Sequence, residues 1–212
     1  MSDTDFRDYH RATAGRPTRD TVRCALAGFA AEPPRRRQAV DLGCGAGRDA
    51  LALLAAGFAV YAVDTERSAL CALRAAAPAG ALLQTVCARM QEVDWPAADL
   101  VVASFSLPLM PPAQMLATWH RLRASLRPGG RFAGQFLGDR DSWAVREGVT
   151  CLRESEVRAL LGGLNIEMFM EEENDSVTPR GSTKHWHLFH VVVGEAATGG
   201  AAPVSGQPES PA

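Results

Sequence analysis

A glycine-rich turn is the part of the sequence best suited to bind a ligand. The stretch VDLGCGAGRDA, residues 40–50, places three glycines between an apolar run and a helix-like segment. Glycine inside a helix or strand costs about 0.5–1 kcal/mol relative to alanine, so we infer a local need for a sharp bend that a ligand can approach closely. Backbone amides at the start of a helix that follows a strand bind nucleotides and nucleosides.

An acidic residue follows this turn at a spacing typical of adenosine-binding folds. Asp64 ends the next apolar run, 23 residues after Asp41, and a carboxylate there can accept hydrogen bonds from both ribose hydroxyls. The turn also satisfies the dinucleotide pattern G-x-G-x-x-G/A through Gly45, Gly47 and Ala50. The glycines alone therefore leave NAD open as a ligand.

Alternating strand-like and helix-like segments must position this turn. Hydrophobic periodicity and Gly/Pro boundaries predict helices over residues 18–31, 48–56, 65–77, 115–126 and 153–161, with Thr65 as the cap of the third. Strands are predicted over residues 39–42, 58–63, 82–87, 100–105, 131–137, 166–170 and 185–193. We expect an α/β fold with a Rossmann-like, doubly wound sheet, mostly parallel with a reversed last strand, and helices on both faces.

The last two predicted strands have no helix between them. The polar segment 171–184, which includes the run EEEND, separates them and is expected to be a solvated loop. Two adjacent strands joined by a loop are most simply antiparallel. A reversed last strand begins at the carboxyl edge of the parallel strands, where ligands bind, so Lys184, His185 and Trp186 are expected near the crevice.

Composition and charge are typical of one globular domain. Of the 212 residues, 47% are hydrophobic and 22% are charged, and the formal net charge of −2 gives no global case for nucleic acid or an anionic membrane as a partner. The N-terminus lacks an apolar signal segment, and no long uncharged apolar run could span a membrane. Five scattered cysteines without C-x-x-C spacing favour a reduced, cytoplasmic setting.

The predicted domain covers residues 18–194. Residues 1–17 are expected to form a lid segment over the site, and the Pro/Gly/Ser-rich residues 195–212 are expected to be a disordered tail. The sequence leaves the oligomeric state open.

Three features together resemble the class I S-adenosylmethionine-dependent methyltransferases over residues 18–193. Asp41 opens a D-x-G-x-G-x-G pattern, LRPGG precedes the fifth strand, and an antiparallel pair closes the sheet. The stretches GQFLGDRDSW and KHWHLFHVVV resemble more narrowly the tellurite-resistance-type bacterial small-molecule methyltransferases. The resemblance implies S-adenosylmethionine as the cofactor, S-adenosylhomocysteine as its product, and methyl transfer to a small molecule such as a thiol or chalcogen compound.

The resemblance also implies a set of cofactor-binding residues. The loop around the methionine part would consist of Asp41, Gly43, Cys44, Gly45 and Gly47. Asp64 would bind the ribose hydroxyls, with Thr65 beside the adenine. Arg89 stands where the family usually has an acidic residue facing the adenine amino group, so backbone groups or packing of Met90 are expected there instead. The residues expected against the methionine at the end of the fourth strand are Ala103, Ser104 and Phe105.

The acceptor pocket is predicted from segments that reach the same edge of the sheet. Its candidate residues are Tyr9, His10, Arg16, Asp139, Arg140, Lys184 and Trp186. His185 is the candidate catalytic residue, as a base for an acceptor that carries a proton, whereas His187 and His190 are expected to be structural. Asp139, Arg140 and Asp141 could instead pair with one another as an exposed loop.

No metal is expected, because no third acidic ligand is evident beside His185 and His187. The alternative functions are an NAD-linked oxidoreductase and a methyltransferase-fold binding protein without catalysis. No interleaving of aromatic and basic residues indicates a nucleic-acid substrate.

Overall fold

A mixed sheet with helices on both faces forms the framework of the chain. The computed structural model describes residues 16–33, 35–177, 181 and 183–195. The predicted lid residues Tyr9 and His10 and the tail from residue 196 onward lie outside the described residues. The helices are α1 (Asp20–Ala30), α2 (Arg48–Ala55), α3 (Arg67–Ala76), α4 (Pro112–Ser125) and α5 (Glu154–Leu160). The strands are β1 (Gln38–Leu42), β2 (Ala59–Asp64), β3 (Leu83–Cys87), β4 (Ala98–Ala103), β5 (Leu126–Gly138), β6 (Cys151–Leu152), β7 (Asn165–Val177) and β8 (Thr183–Gly194).

The strand order confirms the predicted fold class. The sheet runs β3-β2-β1-β4-β5-β8-β7, with the short β6 paired to β5. Strands β1 to β5 are parallel, and β8 is antiparallel to both β5 and β7. The order changes direction at β1, where β2 and β4 lie on its two sides, and ligands of doubly wound folds bind at the carboxyl edge of such a point.

The prediction that residues 171–184 form a solvated loop is wrong for residues 171–177 and 183–184. Strand β7 continues to Val177 and β8 already begins at Thr183, so the two strands form a long hairpin. Carboxylates at every second position of β7 face one side of the hairpin, where they find cationic partners: Glu171 and Glu173 both bond to Arg140. These pairings let a strongly charged run remain extended.

Three element ends also differ from the predictions. The side chain of Glu66, not that of Thr65, caps α3 by accepting the Ser68 N–H at 3.0 Å. Strand β4 ends at Ala103, so Phe105 lies in the turn beyond it. Strand β5 begins at Leu126 and includes the RPGG stretch that the sequence predicts as a turn.

Two apolar clusters, one on each face of the sheet, make up the core. One contains the large aromatic side chains of α4, β5 and β8, namely Trp119, Phe132, Phe136 and Phe189. The other packs α1, α2 and α3 on the opposite face through residues that include Val22, Phe29, Leu53 and Leu73. All six residues of β4 are buried, as expected for a central strand covered on both faces. Among the described residues, no helix has the length and apolar character needed to cross a membrane.

Candidate functional site

The glycine turn after β1 adopts the conformation that its sequence predicts. Gly43, Gly45 and Gly47 have φ angles of 77°, 54° and 90°, a region that favours glycine. A Cβ on Gly43 would lie 2.4 Å from the Cβ of Ser106, and one on Gly47 would lie 2.3 Å from Leu73 Cδ1. The turn therefore needs glycine both for its backbone and for its close neighbours, and it leads directly into α2.

Asp64 fixes the shape of this turn from the end of β2. Its Oδ2 accepts the Gly45 N–H at 2.7 Å, and its Oδ1 accepts the Glu66 N–H at 2.8 Å. The carboxylate is buried at the sheet edge where an adenosine ribose is predicted. The structure thus brings together Asp64 and the turn.

Asp41 is an unusual group because it is a carboxylate without a full set of partners. It is 1% exposed, and its Oδ2 has no hydrogen-bond partner among the described residues. Burial, together with the charges of Asp49 and Asp64, raises the pKa of Asp41 well above its ordinary value. A buried carboxylate in this state is stabilised by a cationic ligand.

The end of β4 is held against the turn by hydrogen bonds. Phe105 has a φ of 55°, which is uncommon for a bulky residue. Its N–H donates to Gln135 Oε1 at 3.1 Å, and the Gln135 amide donates to Thr21 of α1 at 3.1 Å. The Ser106 hydroxyl donates to the Leu42 carbonyl at 2.5 Å. Strained backbone of this kind is concentrated at functional sites.

The strained turn projects the Phe105 ring into a cleft of about 210 Å³, which we call the aromatic cleft. Phe105 meets Trp186 edge to face, with centroids 6.1 Å apart, and the Arg19 guanidinium lies 4.4 Å above its ring. Arg16 and Arg48 also line this cleft. The predicted pocket residues Arg16 and Trp186 are therefore together.

The other predicted cofactor residues lie around the same edge. Met90 comes within 3.7 Å of the position that a Cβ on Gly43 would take, whereas Arg89 and Thr65 are exposed. Cys44 is buried, and its burial raises the pKa of its thiol well above the ordinary value. Ala103 is buried at the end of β4, and the buried Ser104 hydroxyl has no partner among the described residues.

The predicted place of His185 in the cleft is wrong. Side chains alternate along β8, so Trp186 and His190 face Phe105 while His185 and His187 face the other side of the hairpin. His185 Nδ1 lies 2.8 Å from Asp175 and its Nε2 3.1 Å from Glu173, and these bonds raise the pKa of His185. His185 lies near the sheet edge as predicted, but its side chain is on the face of β8 that points away from the cleft.

Asp139 and Arg140 also lie on that other side. Arg140 bonds to Glu171 and Glu173 of β7, and its N–H donates to His187 Nδ1 at 3.1 Å. Asp139 is exposed, 3.9 Å from Arg153 and 3.6 Å from His187. Neither residue lines the aromatic cleft, so their predicted role in the acceptor pocket is not supported.

The acidic neighbours that the sequence analysis could not find for His187 come from β7. Ligand atoms of Glu171, Glu173 and His187 lie within 4.8 Å of one another. Arg140 binds both carboxylates, and His187 Nε2 lies 2.8 Å from Glu171. The cluster is thus a network of ion pairs and hydrogen bonds, and we assign no metal to it.

Lys184 lies behind the cleft rather than in it. Its side chain is 2% exposed and pairs with the buried Asp141. Its Nζ lies 4.0 Å from the centre of Trp186 and 4.3 Å from that of Trp143. Lys184 therefore supports the indole that forms one wall of the cleft.

Several residues of the site carry no recognisable signal in the sequence. Arg19 and Arg48 reach the cleft only because α1 and α2 begin beside it. Glu172, also in the cleft wall, has its Oε2 2.8 Å from His190 Nε2 and accepts a hydrogen bond from Asn174. The sequence shows no alternation at Glu172, because residues 171–173 are all glutamate.

Two sequence comparisons match parts of this chain to known proteins. A family model described as a methyltransferase domain matches residues 39–130. Carboxy-S-adenosyl-L-methionine synthase from Geobacter metallireducens is 49% identical over 45 residues, which are 21% of this chain and 18% of that relative.

Solved structures share the fold at low sequence identity. TehB from Haemophilus influenzae matches with a TM-score of 0.68 and 14% identity, over 82% of this chain and 61% of TehB. Magnesium protoporphyrin IX methyltransferase from Synechocystis, solved with bound S-adenosylmethionine, matches with a TM-score of 0.67 and 16% identity, over 92% and 98% of the two chains. The chain thus spans under a fifth of the curated relative and about three fifths of TehB.

Proposed function

We propose that the chain transfers a methyl group from S-adenosylmethionine to a small-molecule acceptor, because residues 39–130 match the methyltransferase domain family. The observation that carries the proposal is the unpartnered Oδ2 of the buried Asp41 carboxylate beside the glycine turn. A cation beside this oxygen would stabilise the buried negative charge, and the methionine part of the cofactor carries an ammonium group.

The residues around the turn fit the proposed cofactor at both ends. At the methionine end, the unpartnered Asp41 oxygen and the unpartnered Ser104 hydroxyl offer two buried polar groups. At the ribose end, Asp64 offers a carboxylate at the carboxyl edge of β2. When bound, the cofactor supplies a methyl group already activated on a sulfonium, so the protein mainly has to orient the acceptor in line with it.

We propose that the acceptor binds in the aromatic cleft, which adjoins the glycine turn. Phe105 and Trp186 would hold and orient it, and the packing of Lys184 under Trp186 fixes that wall. A thiolate or a chalcogen oxyanion needs no base, so these two classes are the first acceptors to screen. An acceptor with a proton to lose would find the pair formed by His190 and Glu172 on the cleft side.

A transfer assay tests this function directly. Purified protein is incubated with S-adenosylmethionine carrying an isotope-labelled methyl group and a panel of thiols, chalcogen oxyanions, phenols and amines. We expect one class to acquire the label, with one S-adenosylhomocysteine formed per methyl transferred. Asp41→Asn should abolish most of the transfer, whereas Asp99→Asn, at the opposite edge of the sheet, should retain it. Failure to bind the cofactor at all would contradict the proposal.

A further inference from the structure

We propose that the methyl acceptor is a planar organic anion whose ring stacks in the aromatic cleft and whose acid group pairs with Arg16. This inference rests on the proposed function, because it places the acceptor beside the bound cofactor. It adds the chemical class of the acceptor, which is defined by the charge and shape of the cleft wall.

The first support is the charge of the cleft. Three arginines, Arg16, Arg19 and Arg48, line it against one carboxylate, Glu172. That carboxylate is already bonded to His190 and Asn174. A cleft with an excess of one sign of charge attracts ligands of the opposite sign.

The second support is the difference among the three arginines. Arg19 is anchored to Asp49, to which its N–H donates at 3.1 Å and its Nε lies at 3.5 Å, and its guanidinium stacks on Phe105. The Nε of Arg48 donates to the Pro17 carbonyl at 2.7 Å. Arg16 is exposed at the cleft and has no ion-pair partner among the residues that the structure describes. Its guanidinium is the group able to form a paired hydrogen bond with a carboxylate.

The third support is the shape of the cleft. Phe105 and Trp186 are nearly perpendicular, with an interplanar angle of 86°, and form a corner of two aromatic surfaces. Both are held in place, Phe105 by Gln135 and Trp186 by Lys184. Rigid aromatic walls select flat, apolar rings through stacking and edge contacts. A flat ring that carries an anionic group can contact both aromatic walls and also pair with Arg16.

The proposed cofactor also carries a carboxylate, which is a second anion that Arg16 can bind. An arginine that held the cofactor carboxylate would contribute to the affinity for S-adenosylhomocysteine but not to that for 5′-methylthioadenosine, which lacks the amino-acid part. The two ligands therefore separate the two sources. We expect Arg16→Gln to leave the affinity for both unchanged within about twofold.

Three ring compounds of matched shape test the charge of the acceptor: benzoate, benzamide and benzamidine carry negative, neutral and positive heads. Each is titrated by ligand-detected NMR into the full chain saturated with S-adenosylhomocysteine. We expect benzoate to bind about tenfold more tightly than benzamidine, with benzamide between them, because the three guanidinium groups of the cleft attract an anion and repel a cation. Arg16→Gln should remove most of the preference and Arg16→Lys should retain part of it.

A charge-matched control uses Arg36→Gln, which removes one exposed arginine next to the amino end of β1, away from the cleft. This variant should keep the preference for benzoate. Equal binding of the three probes, or an unchanged preference in Arg16→Gln, overturns the inference while leaving the proposed function intact. Loss of S-adenosylhomocysteine affinity in Arg16→Gln would assign Arg16 to the cofactor and likewise overturn it. Failure of the wild-type chain to bind S-adenosylhomocysteine would instead overturn the proposed function.

Discussion

Replacing Asp41 by asparagine should stabilise the protein in the absence of ligand. The side chain keeps its shape but loses a carboxylate whose Oδ2 is buried without a partner. Asparagine keeps an unpaired polar atom but removes the buried charge, and the cost of an unpaired buried group, about 1–3 kcal/mol for a neutral one, is larger for a charged one. For a domain of this size each kcal/mol shifts the melting temperature by about 2–4 °C, so removing about 1–3 kcal/mol of that cost at neutral or higher pH raises it by about 2–12 °C.

The gain should depend on pH in a defined direction. The pKa of Asp41 is raised in the folded state, chiefly by burial, so the folded protein keeps a proton that the unfolded chain has lost. Its contribution to stability therefore falls as pH rises from the unfolded value of about 3.8 through the folded pKa. Since asparagine does not titrate, the advantage of Asp41→Asn should be small near pH 4 and grow toward pH 8.

Chemical unfolding followed by circular dichroism at several pH values measures this difference. Asp99→Asn is the matched control, because Asp99 is equally buried but pairs with Arg35 and Arg127 and accepts the Gln38 N–H. These bonds lower the pKa of Asp99 despite its burial, so its contribution is present above the unfolded pKa and lost as pH falls. Asp99→Asn should destabilise at neutral pH. An Asp41→Asn variant that is also less stable, or whose gain is independent of pH, would refute the account of Asp41.

Three further outcomes follow from the geometry. Gly47→Ala should lower stability by more than about 1 kcal/mol and weaken S-adenosylhomocysteine binding, since its φ of 90° and the nearby Leu73 leave no room for a Cβ; calorimetry checks both, and an unchanged melting temperature counts against the strain. His190→Ala should lower turnover more than His185→Ala without changing cofactor affinity, because only His190 faces Phe105; the reverse order would return the catalytic role to His185. Bonds from Arg140 and His185 lower the pKa of Glu173 to about 2, so the hairpin should lose their stabilisation as pH falls from about 4.5 toward 2; carboxyl NMR should show the pKa rising in Arg140→Gln, and no rise would refute the pairing.

The cofactor side of the site was predictable because its geometry is local. The glycine turn, Asp41 and Asp64 follow from a strand–turn–helix unit whose backbone is dictated by a few adjacent residues. The reversed strand β8 was predictable from the missing crossover helix. Each of these inferences needs only one continuous segment of the chain.

The acceptor side was not predictable because it depends on distant partners. The EEEND run forms a strand by pairing with the backbone of β8, and its carboxylates contact Arg140 and the histidines of β8, which are distant in sequence. The face taken by His185 is set by the register of β8 against β5 and β7, and a shift of one residue would exchange His185 and Trp186. Arg19 reaches Phe105 only through the packing of α1 on the sheet.

Calorimetric titration with S-adenosylhomocysteine and with NAD tests the central claim most directly. We expect the wild-type chain to bind S-adenosylhomocysteine and not NAD, and Asp64→Ala to lose at least tenfold in affinity because the ribose hydroxyls lose their acceptor. Asp64 also accepts the Gly45 N–H, so its replacement can weaken the fold as well as cofactor binding. The melting temperature without ligand shows whether the variant is folded, and Asp64→Asn removes the charge while keeping the shape of the side chain. Binding of NAD without S-adenosylhomocysteine, or unchanged affinity in a folded Asp64→Ala variant, would contradict the assignment of this site.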